Sequence, residues 1–244
     1  MSHRFFVEST AIADSDVRFT AEQAHQLRNV LRLRPGDRVR VFDGLARFDR
    51  LVELTDAKEG RVVGRCEQAP EPRTCLVAYP ALLQRDKFES VIQKLTELGT
   101  SSIVPVLTSR AQVRELVDER RLARWRSIVR EATEQCGRGV LPKVWNALPL
   151  VDALTRATRD GTAIMAHERE HSCSLREALT QRRETVSIFV GPEGGYTPAE
   201  VEAARATGAK IVTLGPRILR TETASPVLAA LVLHELGDLS SQPS

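Results

Sequence analysis

Residues 186–196 read VSIFVGPEGGY, an apolar run that passes directly into a glycine-rich loop. The run 186–190 predicts a buried strand, and Thr197 followed by Pro198 predicts the start of a helix. The same alternation recurs along the chain from Cys75 onward. Strands are predicted at 75–79, 103–107, 162–166, 186–190 and 209–214, and helices at 85–98, 118–135, 174–179, 198–207 and 225–236. Strands that alternate with helices indicate a parallel sheet covered on both faces, an α/β fold class.

The N-terminal residues follow a different pattern. Arg38-Val39-Arg40-Val41-Phe42 alternates polar and apolar residues, which predicts a half-buried strand between two turns. Further strands are predicted at 5–7, 48–54 and 61–66, and a helix capped by Thr20 at 21–31. This pattern predicts a small β-barrel or curled sheet. Because Pro70-Glu71-Pro72 forms a stiff spacer, we expect one domain over residues 1–70 and a second over residues 73–240.

The composition is that of a globular protein. Hydrophobic residues make up 42% of the 244 and charged residues 27%, so the chain can bury a core. The net charge of +3 does not decide for or against an RNA partner. Thirty basic residues are Arg and only five are Lys. The planar guanidinium of Arg suits phosphates and stacked bases, although a GC-rich genome would produce the same bias.

The cysteines and the absence of long apolar runs indicate where the protein works. Cys66, Cys75, Cys136 and Cys173 stand at unrelated spacings without a C-x-x-C pair, so we expect no metal site. A chain of this size can bury enough surface without disulfides, which fits a reducing compartment. No apolar run is long enough for a signal peptide or a bilayer span. We therefore expect a cytoplasmic protein with no membrane partner.

Three unusual loops follow predicted strands: 167–170, 191–196 and 215–223. Ligands of open parallel sheets bind at the carboxyl ends of strands, where such loops begin. The glycines of the second loop allow a ligand to approach the backbone closely. The loop has neither a phosphate-loop pattern nor a dinucleotide pattern, and the carboxylate of Glu193 would repel phosphate. We therefore predict a ligand without phosphates, the alternative being a plain strand-to-helix turn.

The third loop carries both charged and apolar side chains. Arg220 and Glu222 stand two residues apart, close behind the apolar pair Ile218-Leu219. A surface ion pair before a helix capped by Thr223 or Ser225 is the alternative. We favour a functional site, because conspicuous loop side chains more often serve function than packing.

Two sequence blocks, FVGPEGG at 189–195 and LGPRILRTETA at 214–224, resemble the RsmE family of 16S ribosomal RNA uridine-N3 methyltransferases in the SPOUT superfamily. Further blocks match in order: HQLRNVLRLRPGD at 25–37 with VFDG at 41–44, the segment 86–99, and EQCGR at 134–138. One departure is Ser225-Pro226, where a proline in the first turn of a helix would be tolerated. The resemblance implies an N-terminal PUA-like RNA-binding domain, a SPOUT methyltransferase domain with a C-terminal trefoil knot, and a homodimer.

The resemblance also implies a cofactor and a reaction. S-adenosyl-L-methionine would be held by the three loops, and its methyl group would pass to N3 of a uridine in 16S rRNA of the 30S ribosomal subunit. The predicted cofactor-binding residues are His167, Gly191, Pro192, Glu193, Gly194, Gly195, Leu214, Gly215, Ile218 and Leu219. We expect Arg220 to stabilise charge or place the substrate, Glu222 to act as the base, and Glu193 to be a second candidate for the base.

RNA contacts are expected from two Arg-rich stretches, 28–50 and 110–130, and from one later Arg. The residues predicted to bind RNA are Arg28, Arg32, Arg34, Arg110 and Arg138, although a solvated surface is the alternative for each of them. Three other functions stay open: a non-catalytic RNA-binding or assembly factor on the same fold, a SPOUT methyltransferase acting on tRNA or on a ribose hydroxyl, and a nucleotide-binding dehydrogenase. The dehydrogenase is the weakest, because no dinucleotide fingerprint is present.

Overall fold

The computed structural model describes residues 3–112, 117–170, 173–180 and 184–239. The chain divides into two compact units. The first unit comprises Met1–Glu71 with Arg130–Leu141, and the second comprises Pro72–Val129 with Pro142–Ser244. No local pattern predicts that the later segment, Arg130–Leu141, belongs with the N-terminal residues.

A curled sheet forms the body of the first unit. Its strands, in the described residues, are β1 (Arg4–Phe6), β2 (Ile12–Ala13), β3 (Asp16–Arg18), β4 (Arg38–Phe42), β5 (Asp49–Leu54) and β6 (Glu59–Cys66). They lie in the order β1-β4-β5-β6-β3-β2, with β1 parallel to β4 and the other neighbours antiparallel. The alternation predicted for β4 is confirmed, since Val39 and Val41 are fully buried. They pack in one cluster with Phe5, Val17 and Val52.

The helix of the first unit begins where the sequence predicts. Thr20 caps α1 (Ala21–His25): its hydroxyl accepts a hydrogen bond from Gln23 N, and the Gln23 side chain accepts one from Thr20 N. The helix then widens into a π-helical turn over Gln26–Val30. Arg32 follows in the left-handed region, with φ of 57°.

The second unit is built on a parallel sheet. Its strands, in the described residues, are β7 (Cys75–Pro80), β8 (Ser102–Ile103), β9 (Val106–Leu107), β10 (Lys143–Val144), β11 (Leu148–Pro149), β12 (Thr162–Ala166), β13 (Thr185–Val190) and β14 (Lys210–Val212). The main sheet has the order β10-β8-β7-β13-β12-β14, and every neighbouring pair in it is parallel. The predicted α/β class and parallel sheet are thus confirmed.

The helices of the second unit connect these strands. Those in the described residues are α2 (Arg85–Leu98), α3 (Glu119–Cys136, whose part from Arg130 onward belongs to the first unit), α4 (Leu150–Asp160), α5 (Leu175–Leu179), α6 (Pro198–Ala206) and α7 (Thr221–Glu235). Helix α4 was not predicted, although it buries Leu150, Ala153, Leu154 and Ala157 at helical spacing. No helix of the described residues combines the length and the apolar character needed to span a membrane.

Two predictions about these elements are wrong. The single strand predicted at 103–107 is two short strands, β8 and β9, on either side of Pro105, because a proline cannot donate to a strand ladder. The last helix, α7, begins at Thr221 rather than Ser225, and its N-cap is Arg220 without a side-chain capping bond. Pro226 therefore lies beyond the first turn, and it leaves the carbonyl of Glu222 without its usual helical donor.

Candidate functional site

One edge of the parallel sheet carries a cleft. Neighbouring strands β13, β12 and β14 end there at Val190, Ala166 and Val212, and the three unusual loops leave from these ends. The cleft encloses about 540 Å³, counting the space open to solvent at its mouth. It is lined by Ala166, His167, Glu168, Val190, Gly191, Pro192, Gly195, Tyr196, Thr213, Leu214, Gly215, Arg217, Ile218, Leu219, Thr221 and Ala224.

Most of the predicted cofactor-binding residues lie on the wall of this cleft. The structure brings together His167, Gly191, Pro192, Gly195, Leu214, Gly215, Ile218 and Leu219. The lining does not include Glu193 or Gly194. Ile218 stands at the rim with 85% of its surface exposed, whereas Val190 at the base of the cleft is buried.

Two glycines let the backbone itself form part of the wall. Gly215 has φ of +110°, a conformation that L side chains rarely adopt. A Cβ at Gly191 would approach the Tyr196 ring to 3.2 Å, so a larger residue there would displace the ring. The cleft therefore offers backbone groups and apolar side chains at close range. Such a surface suits a ligand that is mostly apolar and is recognised through its polar edges.

A group of four charged side chains accompanies the cleft. The Lys87 Nζ donates a hydrogen bond of 2.8 Å to Glu193 Oε1. That bond raises the pKa of Lys87, and the charge of Glu222 raises it further while the charge of Arg220 lowers it. Arg220 and Glu222 flank Thr221, which lies on the cleft wall. The three predicted catalytic residues are therefore close together, beside the lining rather than in it.

The two candidate bases differ in their surroundings. Burial pushes the pKa of Glu193 upward, but the hydrogen bond from Lys87, a bond to its own backbone N–H and the Lys87 charge lower it to below its ordinary value. The Glu222 Oε2 is buried and accepts no hydrogen bond from any described residue. A buried carboxylate oxygen without a donor is costly, so Glu222 has an acceptor position open for a ligand N–H.

A second buried polar atom without a partner lies near the cleft. Tyr196 is almost fully buried, and its hydroxyl makes no hydrogen bond within the described part of the chain. Burial raises the pKa of this phenol, and the charge of Glu200 raises it further, so the hydroxyl keeps its proton. Tyr196 can therefore donate a hydrogen bond but cannot supply a negative charge.

The structure assigns different surroundings to the arginines predicted to bind RNA. Arg110 Nη1 donates to the carbonyl oxygen of Gly194 at 3.0 Å, so this side chain holds the second loop. The Arg138 side chain is only 6% exposed and forms an ion pair with Glu71. The Arg138 guanidinium is therefore engaged within the first unit. Arg28, Arg32 and Arg34 line a separate hollow of the first unit.

Some residues of the site were missed by the sequence analysis. Lys87 belongs to α2 and lies 106 residues before its partner Glu193, so no local pattern joins them. Tyr196, Glu168, Arg217 and Thr221 line the cleft from within the three predicted loops. Their positions in these loops already indicated that they lie near the site. The loop sequence does not show which of the loop side chains line the cleft.

Comparison with known proteins identifies the class. A family described as RNA methyltransferase domain matches residues 70–233, and one described as RNA methyltransferase PUA domain matches residues 19–64. The fold, the cleft and these matches together define an RNA methyltransferase with an N-terminal PUA domain. More narrowly, the chain belongs to the ribosomal RNA small subunit methyltransferase E family.

The relatives cover nearly the whole chain. The ribosomal RNA small subunit methyltransferase E of Synechocystis is 34% identical over 95% of this chain and 77% of its own length. The Bacillus subtilis protein of the same name is 30% identical over 91% of this chain and 92% of its own. The Neisseria gonorrhoeae enzyme of that name, solved bound to S-adenosyl methionine, is 30% identical with a TM-score of 0.86, covering 97% of this chain and 98% of that one.

A further solved structure has the same architecture. A Legionella pneumophila methyltransferase in complex with the bound cofactor SAM is 25% identical to this chain. It superposes with a TM-score of 0.86 over 96% of this chain and 98% of its own. The expected organisation, an N-terminal PUA-like domain followed by an α/β methyltransferase domain, is therefore confirmed at the level of the fold.

Proposed function

We propose that this protein transfers the methyl group of S-adenosyl-L-methionine to N3 of a uridine in 16S rRNA of the small ribosomal subunit. The observation that carries the proposal is the cleft built from three loops at the ends of β12, β13 and β14, in a chain similar over nearly its full length to proteins solved with this cofactor. A non-catalytic RNA-binding factor would have no need of such a cleft.

The residues of the cleft fit the cofactor. When bound, S-adenosyl-L-methionine supplies a methyl group activated by its sulfonium charge. Gly191, Gly195 and Gly215 leave the backbone accessible, and Leu214 and Leu219 provide apolar walls for an adenine ring. The buried Tyr196 hydroxyl has no partner among the described residues and can donate to a polar group. S-adenosyl-L-methionine has no phosphate, so the carboxylates of Glu193 and Glu222 beside the cleft would not repel it.

The chain's own residues would manage the proton of the uridine. N3 carries a proton that must leave, and the open acceptor at Glu222 Oε2 is suited to receive it. The negative charge left on the ring is then stabilised by the guanidinium of Arg220. Glu193 is the weaker base, because its hydrogen bond to Lys87 favours the ionised carboxylate. The role proposed for Glu193 is instead to orient Lys87, through this hydrogen bond, toward Arg220 and Glu222.

The remaining expectations belong to the same proposal. We infer a PUA-like RNA-binding domain over residues 1–70 and a SPOUT methyltransferase domain over residues 73–240, acting as a homodimer in the cytoplasm. The substrate would be 16S rRNA, free or within the 30S subunit, with the target base turned out of its stack because N3 lies on the Watson–Crick edge. The trefoil knot stays a prediction from family resemblance.

The reaction is tested by methyl transfer from labelled S-adenosyl-L-methionine to 30S subunits that lack the modification, followed by nucleoside analysis. We expect label in 3-methyluridine and none in naked transfer RNA treated in parallel. Label in transfer RNA, or in a ribose hydroxyl, would overturn the substrate and target atom. Cofactor binding without any transfer would favour a non-catalytic factor.

The roles of the carboxylates are separated by a matched pair of variants. We expect Glu222→Gln to lower kcat by about 100-fold or more, because general-base catalysis contributes about 100-fold to 10,000-fold. Glu193→Gln keeps Glu222 in place and should cost clearly less. Arg220→Ala should abolish turnover. Calorimetry should show all three variants binding S-adenosyl-L-methionine nearly as tightly as the parent protein, and near-normal turnover of Glu222→Gln would exclude it as the base.

A further inference from the structure

A hollow in the first unit lies between the end of the π-helical turn and strand β5. We call it the arginine hollow, and its lining is Leu27, Arg28, Arg32, Leu33, Arg34, Pro35, Leu54, Asp56 and Ala57. It encloses about 900 Å³, counted in the same way as the cleft. Leu27 and Leu54 are buried beneath it, Leu33 is half-buried, and Pro35 and the three arginines are exposed around it.

The three arginines have no carboxylate to neutralise them. None of Arg28, Arg32 and Arg34 forms an ion pair with any residue that the structure describes, although Arg38 nearby pairs with Glu53. Two acidic side chains, Asp37 close in sequence and Asp56 in the lining, accept hydrogen bonds from the backbone. Asp37 Oδ2 accepts the backbone N–H of Arg34 at 2.7 Å, and Asp56 Oδ1 accepts the backbone N–H groups of Lys58 and Glu59. The hollow therefore combines the partly exposed apolar residues Leu33 and Pro35 with three guanidinium groups that no described carboxylate neutralises.

Arg32 holds a conformation that favours glycine. Its φ of 57° places it in the left-handed region, just after the helical segment. There, Leu33 N donates to Leu27 O at 2.9 Å and so closes the end of the helix. A left-handed residue ending a helix is usually glycine, and an L side chain in this region costs about 1–2 kcal/mol. An arginine at such a position indicates that its side chain has a function, because glycine would give the same backbone without the strain.

We propose that the arginine hollow binds one unpaired nucleotide of the RNA substrate. The base packs against Leu33 and Pro35 and stacks on the plane of one guanidinium group, and the other guanidinium groups among Arg28, Arg32 and Arg34 bind the phosphates on either side of it. Single-stranded RNA is bound in this manner, by planar contact with the base and by cationic contacts to the backbone. The identity of the ligand as RNA rests on the proposed function, whereas the site itself rests on the hollow.

The test uses Arg32→Gly, a change that removes the side chain and relieves the backbone. We expect the melting temperature to stay the same or rise, because glycine adopts positive φ without strain. The affinity for fluorescein-labelled oligouridylate should fall about tenfold, the usual effect of losing a hydrogen bond to a charged group. The control is Arg61→Ala, which removes an equally positive but exposed side chain of the same unit and should leave RNA affinity unchanged.

Further measurements separate a nucleotide site from a general anion site. Uridine 5′-monophosphate should displace the labelled RNA from the parent protein and inorganic phosphate at equal concentration should not; equal competition by phosphate would overturn the proposal. Unchanged RNA affinity in Arg32→Gly would do the same. If 3-methyluridine still formed in either of those cases, the proposed function would stand without the hollow. If RNA affinity fell but the parent protein made no 3-methyluridine, the hollow would stand and the reaction would not.

Discussion

Two groups of arginines in the first unit have opposite surroundings. Arg4 and Arg40 converge on Asp49, which is completely buried, with nitrogen–oxygen distances of 2.7 and 2.8 Å. The Arg4 guanidinium also donates to the carbonyl oxygen of Thr133 and lies 3.7 Å from the centroid of the Phe42 ring. The arginines of the arginine hollow, in contrast, have no ionic partner among the described residues.

The difference shows that the number of arginines in a stretch does not decide their role. A buried carboxylate such as Asp49 is strongly destabilising unless cations and hydrogen bonds compensate it, so Arg4 and Arg40 are committed to the fold. An exposed arginine without a partner retains its full charge for a ligand. The first group should therefore control stability and the second should control RNA binding, and each prediction below tests that separation.

The largest effect is expected from Arg4→Ala. Removing one partner of a buried ion pair leaves Asp49 with incomplete compensation, which costs about 3–5 kcal/mol in the free energy of unfolding. Urea denaturation followed by circular dichroism measures this cost. Arg61→Ala, which breaks an exposed pair with Asp16, is the control and should cost less than about 1 kcal/mol. A similar small loss for both variants would remove the distinction between the two groups.

An effect of opposite sign is expected beside Arg4, at Glu134. Burial raises the pKa of Glu134 above its ordinary value, although the Phe6 N–H that it accepts at 2.8 Å and the charge of Arg130 act in the other direction. A raised pKa means that this group costs stability as the pH rises above its ordinary value of 4.5, and the full cost is present above the folded pKa. Glu134→Gln keeps an acceptor for Phe6 N and should raise the free energy of unfolding at neutral pH.

The pH dependence provides the check on Glu134. The gain from Glu134→Gln should disappear as the pH falls below 4.5, the ordinary value for this carboxyl, because the parent side chain is then protonated in both states. Urea titrations at neutral and at acidic pH give the comparison. A gain that persisted at acidic pH would mean that repacking, rather than charge, is responsible.

A smaller effect is expected where an arginine has a partner but lies at the surface. Arg38 pairs with Glu53 at 3.0 Å, and their side chains are 57% and 40% exposed. Arg38→Ala should therefore cost about 0.2–1 kcal/mol, and added salt should reduce the difference. Thermal unfolding at low and high salt measures it. A cost comparable with that of Arg4→Ala would show that burial is not what separates the groups.

The smallest effect on stability is expected in the arginine hollow. Arg28→Ala should change the free energy of unfolding by less than about 0.5 kcal/mol, because the side chain is exposed and makes no ion pair with a described residue. Its effect should be on RNA instead. The slope of the logarithm of the binding constant against the logarithm of salt concentration should fall by about 0.7, the value for one phosphate contact of single-stranded nucleic acid.

Local pattern was enough to predict much of the fold. Strand β12 and helix α2 have the bounds that the sequence predicts, because a run of apolar residues or a repeat at helical spacing is itself the cause of burial. Most of the predicted cofactor residues lie on one cleft, because the ends of neighbouring parallel strands must meet at one edge of the sheet. Helix α4 had a clear signal that was overlooked, β8 and β9 were joined wrongly across a proline, and α7 was predicted to begin four residues too late.

The local sequence pattern therefore predicts which segments are buried and which loops carry the unusual residues. The tertiary structure alone decided the partners of the charged side chains: Lys87 with Glu193, Arg4 with Asp49, and none for Glu222 Oε2 among the described residues. The physical reason is that hydrophobic burial follows from periodicity along the chain, whereas an ion pair or an open acceptor depends on atoms that approach only after folding.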